Sequence, residues 1–361
     1  MADDNEYQAE LKDAIGFYAR KGLSRRDVLR KTSYLVAASA LAPVLAACGS
    51  TVSPSAAASA GSGPGAAKKL KMFATGEGLV ISFVAEGKKT LEQYCQLFNV
   101  DLTYADGELD PTKQRAAVDN AANQQWDIAA VTPVEAGTLV DPFKKMAAAG
   151  TAVIEQITPV GAPGTDYGAL TICQQDSYEM GFMVTSQICA AANATGTIIE
   201  TRGPASHQGS IARHAGFTDA MKTFPNMQVL TSDFGNWDTQ LVHTLWESYI
   251  NRYPTITAAY AHNDDMALAI VDALSAGGRK ALVGGCDGMP TAIQAVKDGK
   301  LAATMRHSTV RLNMYAVVIG QAFKRGIVTA VPKKIVVDGL LVTPDNAESL
   351  IFLQGDGIFL Q

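Results

Sequence analysis

From Lys68 onward, short apolar runs of strand length alternate with longer amphipathic stretches, and this alternation leaves few architectures open. Candidate strands are Leu70–Ala74, Val100–Tyr104, Ile128–Val131, Ala152–Ile157, Leu170–Cys173, Gly196–Glu200, Gln228–Thr231, Ala258–Ala261 and Ala281–Gly284. Helical stretches lie between them, among them Lys88–Leu97, Lys113–Asn123, Tyr178–Ala191, Leu241–Asn251 and Met266–Ser275. A helix between two strands returns the chain to the same sheet edge, so the strands pair in parallel and need cover on both faces. So many strands exceed one comfortable sheet. The expected fold is therefore α/β, with two doubly wound parallel-sheet lobes, the second starting near Asp176.

Composition narrows the function. Hydrophobic residues make up 47% and charged residues 18%, which suits a packed α/β protein rather than a disordered chain. The net charge of −5 gives no support for nucleic acid as a partner. Cys95, Cys173, Cys189 and Cys286 contain no C-x-x-C pair, which removes a zinc knuckle or thioredoxin-type site. They are expected as buried free thiols; two disulfides, in any of three connectivities, are the alternative.

Upstream, Arg25 and Arg26 precede an apolar run, Tyr34 to Ala47, that closes on Leu45-Ala46-Ala47-Cys48. The arginine pair resembles a twin-arginine export signal, and the last four residues resemble a bacterial lipobox whose cysteine, Cys48, is lipidated. The run contains Pro43 and falls short of the roughly 20 residues a membrane-spanning helix requires. An uncleaved amino-terminal anchor is the alternative. Either reading places the remaining chain outside the cytoplasm, periplasmic or at the cell surface. Residues 49–67 are small and flexible, with no core-forming pattern, and read as a tether.

In open α/β sheets ligands bind beyond the carboxyl ends of the strands. That rule directs attention to residues 202–213, 233–238, 262–265 and 286–288. There the sequence resembles a family. AYAHNDDMALAIVDAL (259–274) and VGGCDGMPTAIQAVKDGKLAAT (283–304) are similar to the ribose-binding type of periplasmic sugar-binding proteins of ABC importers. ARHAGF (212–217) resembles that family's arginine-bearing helix start, and DFGNWD (233–238) its aromatic-bearing loop. The resemblance implies two lobes joined by a hinge, the type I periplasmic-binding-protein arrangement. It assigns residues 68–175 with 308–336 to the first lobe and 176–307 with 337–361 to the second. Hinge crossovers are expected near Gln175–Asp176, His307–Ser308 and Lys334–Val337, with a helix from Ser308 returning to the first lobe.

By the same resemblance Arg213, Trp237, Asn263 and Asp287 contact the ligand. Their chemistry suits a sugar or polyol: Asp287 accepts hydroxyl protons, Arg213 donates a fork, Asn263 does both, and Trp237 offers a plate for a C–H face. Each also has a plain structural alternative: a turn residue at Asp287, a solvated helix position at Arg213, core packing at Trp237. Asp264 and Asp265 can cap a helix beginning at Met266. His307 falls where the family often has glutamine. In the first lobe, Glu77 is a candidate hydroxyl partner, Val80 and Ile81 replace the expected aromatics, and the family's D-R pair is absent near residues 155–158. Gln175 is a further first-lobe candidate.

Metal and nucleophile motifs are missing: the five histidines show no paired ligand spacing, Gly209-Ser210 lacks a hydrolase elbow, and Cys286 near His262 is expected to be packing. No enzyme activity, cofactor or metal is expected. Expected partners are a small-molecule sugar or polyol, ABC permease subunits and a membrane reached through the lipid anchor, with no nucleic acid and a monomeric state. The alternative is a sensor whose closed form engages a chemoreceptor or histidine kinase.

Overall fold

Ile128-Ala129-Ala130-Val131 has no exposed surface on either side, which is what a central parallel strand covered by helices requires. It is β3 in a computed structural model that describes residues 68–161 and 166–352. The leader, Cys48 and the linker 49–67 lie outside these residues. With elements numbered in chain order, the first sheet holds β1 (Leu70–Gly76), β2 (Val100–Asp106), β3 (Ile128–Val131), β4 (Ala152–Ile157), β5 (Thr171–Gln175) and a late strand, β11 (Lys334–Val337). Their order is β11-β5-β4-β3-β1-β2, and every neighbouring pair is parallel.

The second sheet holds β6 (Gly196–Arg202), β7 (Met227–Phe234), β8 (Ala258–Ala261), β9 (Leu282–Asp287), β10 (Ala303–Arg306) and β12 (Leu340–Val342). Its order is β12-β10-β9-β8-β6-β7; only β12 runs antiparallel, against β10. The helices are α1 (Ser82–Leu97), α2 (Pro111–Ala121), α3 (Val140–Ala148), α4 (Ser177–Ala191), α5 (Gln208–Lys222), α6 (Thr239–Arg252), α7 (Asp264–Ala276), α8 (Pro290–Lys297), α9 (Thr309–Lys324) and α10 (Ala347–Phe352). The fold is thus α/β with two parallel-sheet lobes, and this agrees with the sequence reading.

Several strands run past the ends that hydrophobicity predicts. β1 continues to Gly76, β6 to Arg202 and β9 to Asp287, because the ladder continues through polar residues at the carboxyl ends. Those ends are where ligand-facing side chains are carried, so the apolar pattern stops before the strand does.

Polar caps set the helix starts. Asp176, Asp238 and Ser308 accept hydrogen bonds from the first turns of α4, α6 and α9. α1 is different: Ile81 stands at its N-cap and provides no side-chain bond. Gly181 lets α4 and α5 approach closely, since a Cβ there would sit 2.0 Å from the Arg213 carbonyl.

The chain passes between sheets at Gln175–Asp176, at His307–Ser308 and after β11. The last crossover corrects the sequence expectation. Lys334–Val337 is itself a strand of the first sheet, paired with β5, so the turn to the second sheet falls at Asp338–Gly339. Cys95, Cys173, Cys189 and Cys286 are buried and free, and burial pushes each thiol up to about 12. They are inert packing groups at neutral pH. Among the described residues no helix is long and apolar enough to cross a membrane.

Candidate functional site

The close α4–α5 contact fixes Arg213 at the bottom of a cluster of strand ends. Its guanidinium is buried; Nη1 donates to the His262 carbonyl and Nη2 to Asp287 Oδ1 at 3.3 Å. It also lies 5.5 Å from the Trp237 ring centroid. Arg213 Nε has no partner, so one donor of the fork is uncommitted.

Asp287 ends β9 with a φ of 109°, a left-handed backbone that a non-glycine residue adopts only under constraint. Burial pushes its carboxyl up to about 7 despite the opposing Arg213, and Asp265 and Glu77 push in the same direction. Asp264 behind it is fully buried and accepts from Met289 N at 2.8 Å and Thr304 Oγ1 at 2.6 Å. Those bonds tie the start of α7 to the turn after β9 and so hold Asp287 in place.

Trp237 also has a positive φ, 60°, and is 6% exposed. Gly203 makes room for it: a Cβ there would lie 2.1 Å from the indole. The ring meets His207 edge-on, with centroids 5.7 Å apart and planes at 87°. Asn263 does the capping that the sequence suggests for its neighbours. Its Oδ1 accepts from Met266 N at 2.9 Å and caps α7, which starts at Asp264. Asp264 and Asp265 therefore do not cap that helix.

Asp265 instead reaches the first lobe. Its carboxylate accepts from Ser82 N at 2.9 Å and Ser82 Oγ at 2.7 Å, supplying the cap that α1 lacks. A second contact between the lobes joins Glu77 to His207 Nε2, with both side chains buried. His207 Nδ1 accepts from Ser210 N at 3.2 Å, so the ring proton is on Nε2 and is donated to Glu77. Sequence reading did not single out His207. A histidine N-cap is an unusual choice, and nothing local marks it.

His307 Nδ1 donates to the Val337 carbonyl at 3.1 Å, and burial lowers its pKa to about 4. The ring is therefore neutral at pH 7, and Nε2 is an acceptor with no partner. Gln175 Oε1 and Ser177 Oγ are likewise buried without partners. Asp287 and His307, together with Glu86, Arg306 and Thr309, line a narrow crevice that is partly open to solvent. In the first lobe Ile81 is buried while Val80 is 77% exposed, so this pair gives no aromatic plate.

A second polar network lies deeper in the second lobe. Glu200 accepts from His262 Nε2 at 2.9 Å, from His214 Nδ1 at 2.8 Å and from Ser232 Oγ. Burial alone raises its pKa, but these bonds outweigh burial and hold it at about 2. Ser210 Oγ lies 3.3 Å from His262 Nδ1, which gives the outline of a Ser-His-Glu triad. The hydroxyl instead donates to the Gly203 carbonyl at 2.9 Å, and Nδ1 accepts from Gly203 N at 3.2 Å. Ser210 and His262 have no exposed surface. The group is a buried scaffold under Gly203 and Trp237, with no route for a substrate. Among the described residues no set of three or more His, Cys, Asp or Glu side chains is placed to hold a metal ion.

Residues 77–326, which span both lobes and every site side chain described above, match the periplasmic binding protein domain. The chain belongs to this family. Periplasmic binding proteins hold ligands without transforming them, in keeping with the closed Ser210–His262–Glu200 network. A xylitol-binding protein of Mycolicibacterium smegmatis is 27% identical over 235 residues, 64% of this chain and 66% of that protein. The match thus spans just under two thirds of that relative. The ribose import binding protein of Bacillus subtilis is 25% identical over 62% of this chain and 71% of its own. Among solved structures, an ABC transporter solute binding protein from Bacillus halodurans with bound myo-inositol superposes with a TM-score of 0.73. It covers 80% of this chain and 99% of that one at 23% identity, a likeness of fold.

Proposed function

We propose that this periplasmic binding protein is an extracytoplasmic, lipid-anchored solute-binding protein that captures a sugar or related polyol and delivers it to an ABC importer. The observation that carries the reading is the grouping of Arg213, Asp287 and Trp237 at the strand ends of one lobe, with Glu77 of the other lobe reaching the same cluster. A polyol offers hydroxyls that donate and accept around an apolar ring or chain. Asp287, Glu77, Gln175, His307 and Arg213 Nε supply the polar partners, and Trp237 the plate. The relatives named for xylitol and ribose support the same ligand class. Lobe crossovers at 175–176, 307–308 and 338–339 form the hinge, and ligand contacts to both lobes favour the closed form.

Thermal unfolding of the purified protein with pentoses, hexoses, polyols and amino acids tests this. A true ligand raises Tm in a concentration-dependent manner, because binding to the folded state alone stabilises it by mass action. Asp287→Asn is expected to abolish that rise while the ligand-free protein stays folded. A full rise in the variant removes Asp287 from the site, and a response to amino acids alone removes the polyol reading. The anchor is tested by fractionation: Cys48→Ala is expected to move the protein from the membrane fraction to the soluble one, and retention on the membrane overturns lipidation at Cys48.

A further inference from the structure

We infer that the end of the first lobe remote from the ligand cluster is a docking surface for anionic lipid. Docking there lays the folded body on the membrane with the ligand-facing strand ends turned away from it. The inference rests on the lipid-anchor part of the proposed function. Because β1 to β5 and β11 are all parallel, their amino ends share one end of the lobe. Their carboxyl ends, which carry Gln175 and lead into Glu77, share the other. At the amino ends Arg325, just past α9, donates to the Lys68 and Phe98 carbonyls at 3.2 and 2.9 Å. Lys324 donates to the Gly150 carbonyl at 2.9 Å, Lys333 to that of Ala169 at 3.1 Å, and Lys145 to Asn123 Oδ1 at 2.6 Å. With Lys334, the first residue of β11, six cations therefore gather at one end of the lobe.

Among the described residues none of the six is in an ion pair, and the partners just given are neutral, so the positive charge is not cancelled. Lys69 is matched by Asp101, and Arg115 by Asp119. Asp127 and Asp166 stand against the six, each accepting from a backbone N–H. The chain as a whole carries −5, so this end reverses the sign of the molecule. Helix carbonyls at the carboxyl ends account structurally for Lys324 and Arg325. Lys68, Lys333 and Lys334 are exposed beyond them. Beside the Arg325 bridge, Leu97 and Ile327 are 60% and 67% exposed. Aliphatic groups among lysines suit the headgroup boundary, where the former enter the acyl region and the latter meet phosphate. The chain outside the described residues decides the occupant. Residues 49–67 join the body at Lys68, on this same end. Read as a flexible coil, those 19 residues span roughly 25 Å, so an anchor at Cys48 keeps this end beside lipid. One lipid anchor with one basic patch forms the pair of signals that stable membrane attachment requires.

The test adds vesicles to full-length Cys48→Ala protein, so that acylation plays no part. They are made of phosphatidylcholine alone or of equal parts phosphatidylcholine and phosphatidylglycerol. A solvent-sensitive dye is attached at Ile327→Cys or, as the control, at Val80→Cys, 77% exposed before α1 at the opposite end of the lobe. Cys95, Cys173, Cys189 and Cys286 are buried and stay unlabelled. The dye at 327 is expected to shift to the blue with phosphatidylglycerol vesicles only, and high salt to reverse the shift. The dye at 80 is expected to remain in water. Lys68→Glu combined with Lys334→Glu is expected to raise the half-effective lipid concentration about tenfold or more, since each basic residue near an anionic surface tightens binding about fivefold. Its Tm is expected to match the parent, because both side chains are exposed. No shift at 327, the same shift with neutral vesicles, an equal shift at 80, or undiminished binding by a folded double variant each overturns the lipid surface. None of these results touches the anchor, which the Cys48→Ala fractionation decides, or the capture of a solute.

Discussion

Arg213→Ala is expected to eliminate polyol binding and to lower folding stability by about 3–5 kcal/mol, the usual loss when one member of a buried ion pair is removed. The guanidinium bonds to the His262 carbonyl and to Asp287 and lies over Trp237, so its loss affects three site elements together. Protonation of the stranded Asp287 carboxyl softens the loss at low pH. Arg213→Lys separates the two roles. A lysine keeps the charge beside Asp287 but cannot bond the carbonyl and the carboxylate through one planar fork. It should recover much of the stability in chemical denaturation while ligand titrations remain blank. Full binding by the lysine variant would show that the fork is not what the ligand uses.

Glu200→Gln is the second large effect, and it concerns stability alone. The folded-state pKa of Glu200, about 2, lies below its ordinary value near 4.5, a difference of roughly 3 kcal/mol in favour of the folded protein. Because the folded pKa is depressed, this contribution is complete above about pH 4.5 and disappears as pH falls through about 2. His262 adds to acid sensitivity in an earlier window: it is neutral in the fold with a pKa near 4, so stability also drops as pH falls from about 6.5 toward 4. The glutamine variant should therefore unfold at lower denaturant concentration at pH 7, and its stability should depend less on pH below 4.5. A variant as stable as the parent at pH 7 would mean that the His214, His262 and Ser232 bonds only offset the burial of the charge.

The two-lobe α/β fold was legible because buried parallel strands are apolar on both faces; Ile128–Val131, Ala152–Ile157 and Ala258–Ala261 keep their predicted bounds. The short strands β10, β11 and β12 were not, since four residues or fewer of mixed character carry no period. Arg213, Trp237 and Asp287 were singled out by resemblance to the ribose-binding type of protein, with a chemistry that suits a polyol, and the structure brings them together. Asn263 was singled out for the same reason, but the start of α7 claims its oxygen. His207 and Asp265 show what sequence reading lacks. The partner of His207 lies 130 residues away and that of Asp265 183 residues away, so no local pattern connects them. Each side chain is polar beside a helix start, where capping is the simplest expectation. His207 does cap its own helix as well, whereas Asp265 caps a helix in the opposite lobe.

That exchange, a carboxylate of one lobe finishing a helix of the other, bears on how faithfully shape can report cargo. The Ser82–Asp265 and Glu77–His207 contacts are made entirely by protein atoms, so part of the closing free energy is independent of what the cleft holds. A receptor that inspects only the outer contour would then meet decoys, empty molecules already in the shut posture, in proportion to the strength of these contacts. If they bring open and shut forms to equal population, a ligand that binds only the shut form loses about twofold in apparent affinity. It can then raise the shut fraction by no more than about twofold. Tight capture and a clear announcement of capture pull these two small contacts in opposite directions, and their strength sets where the protein lies between them.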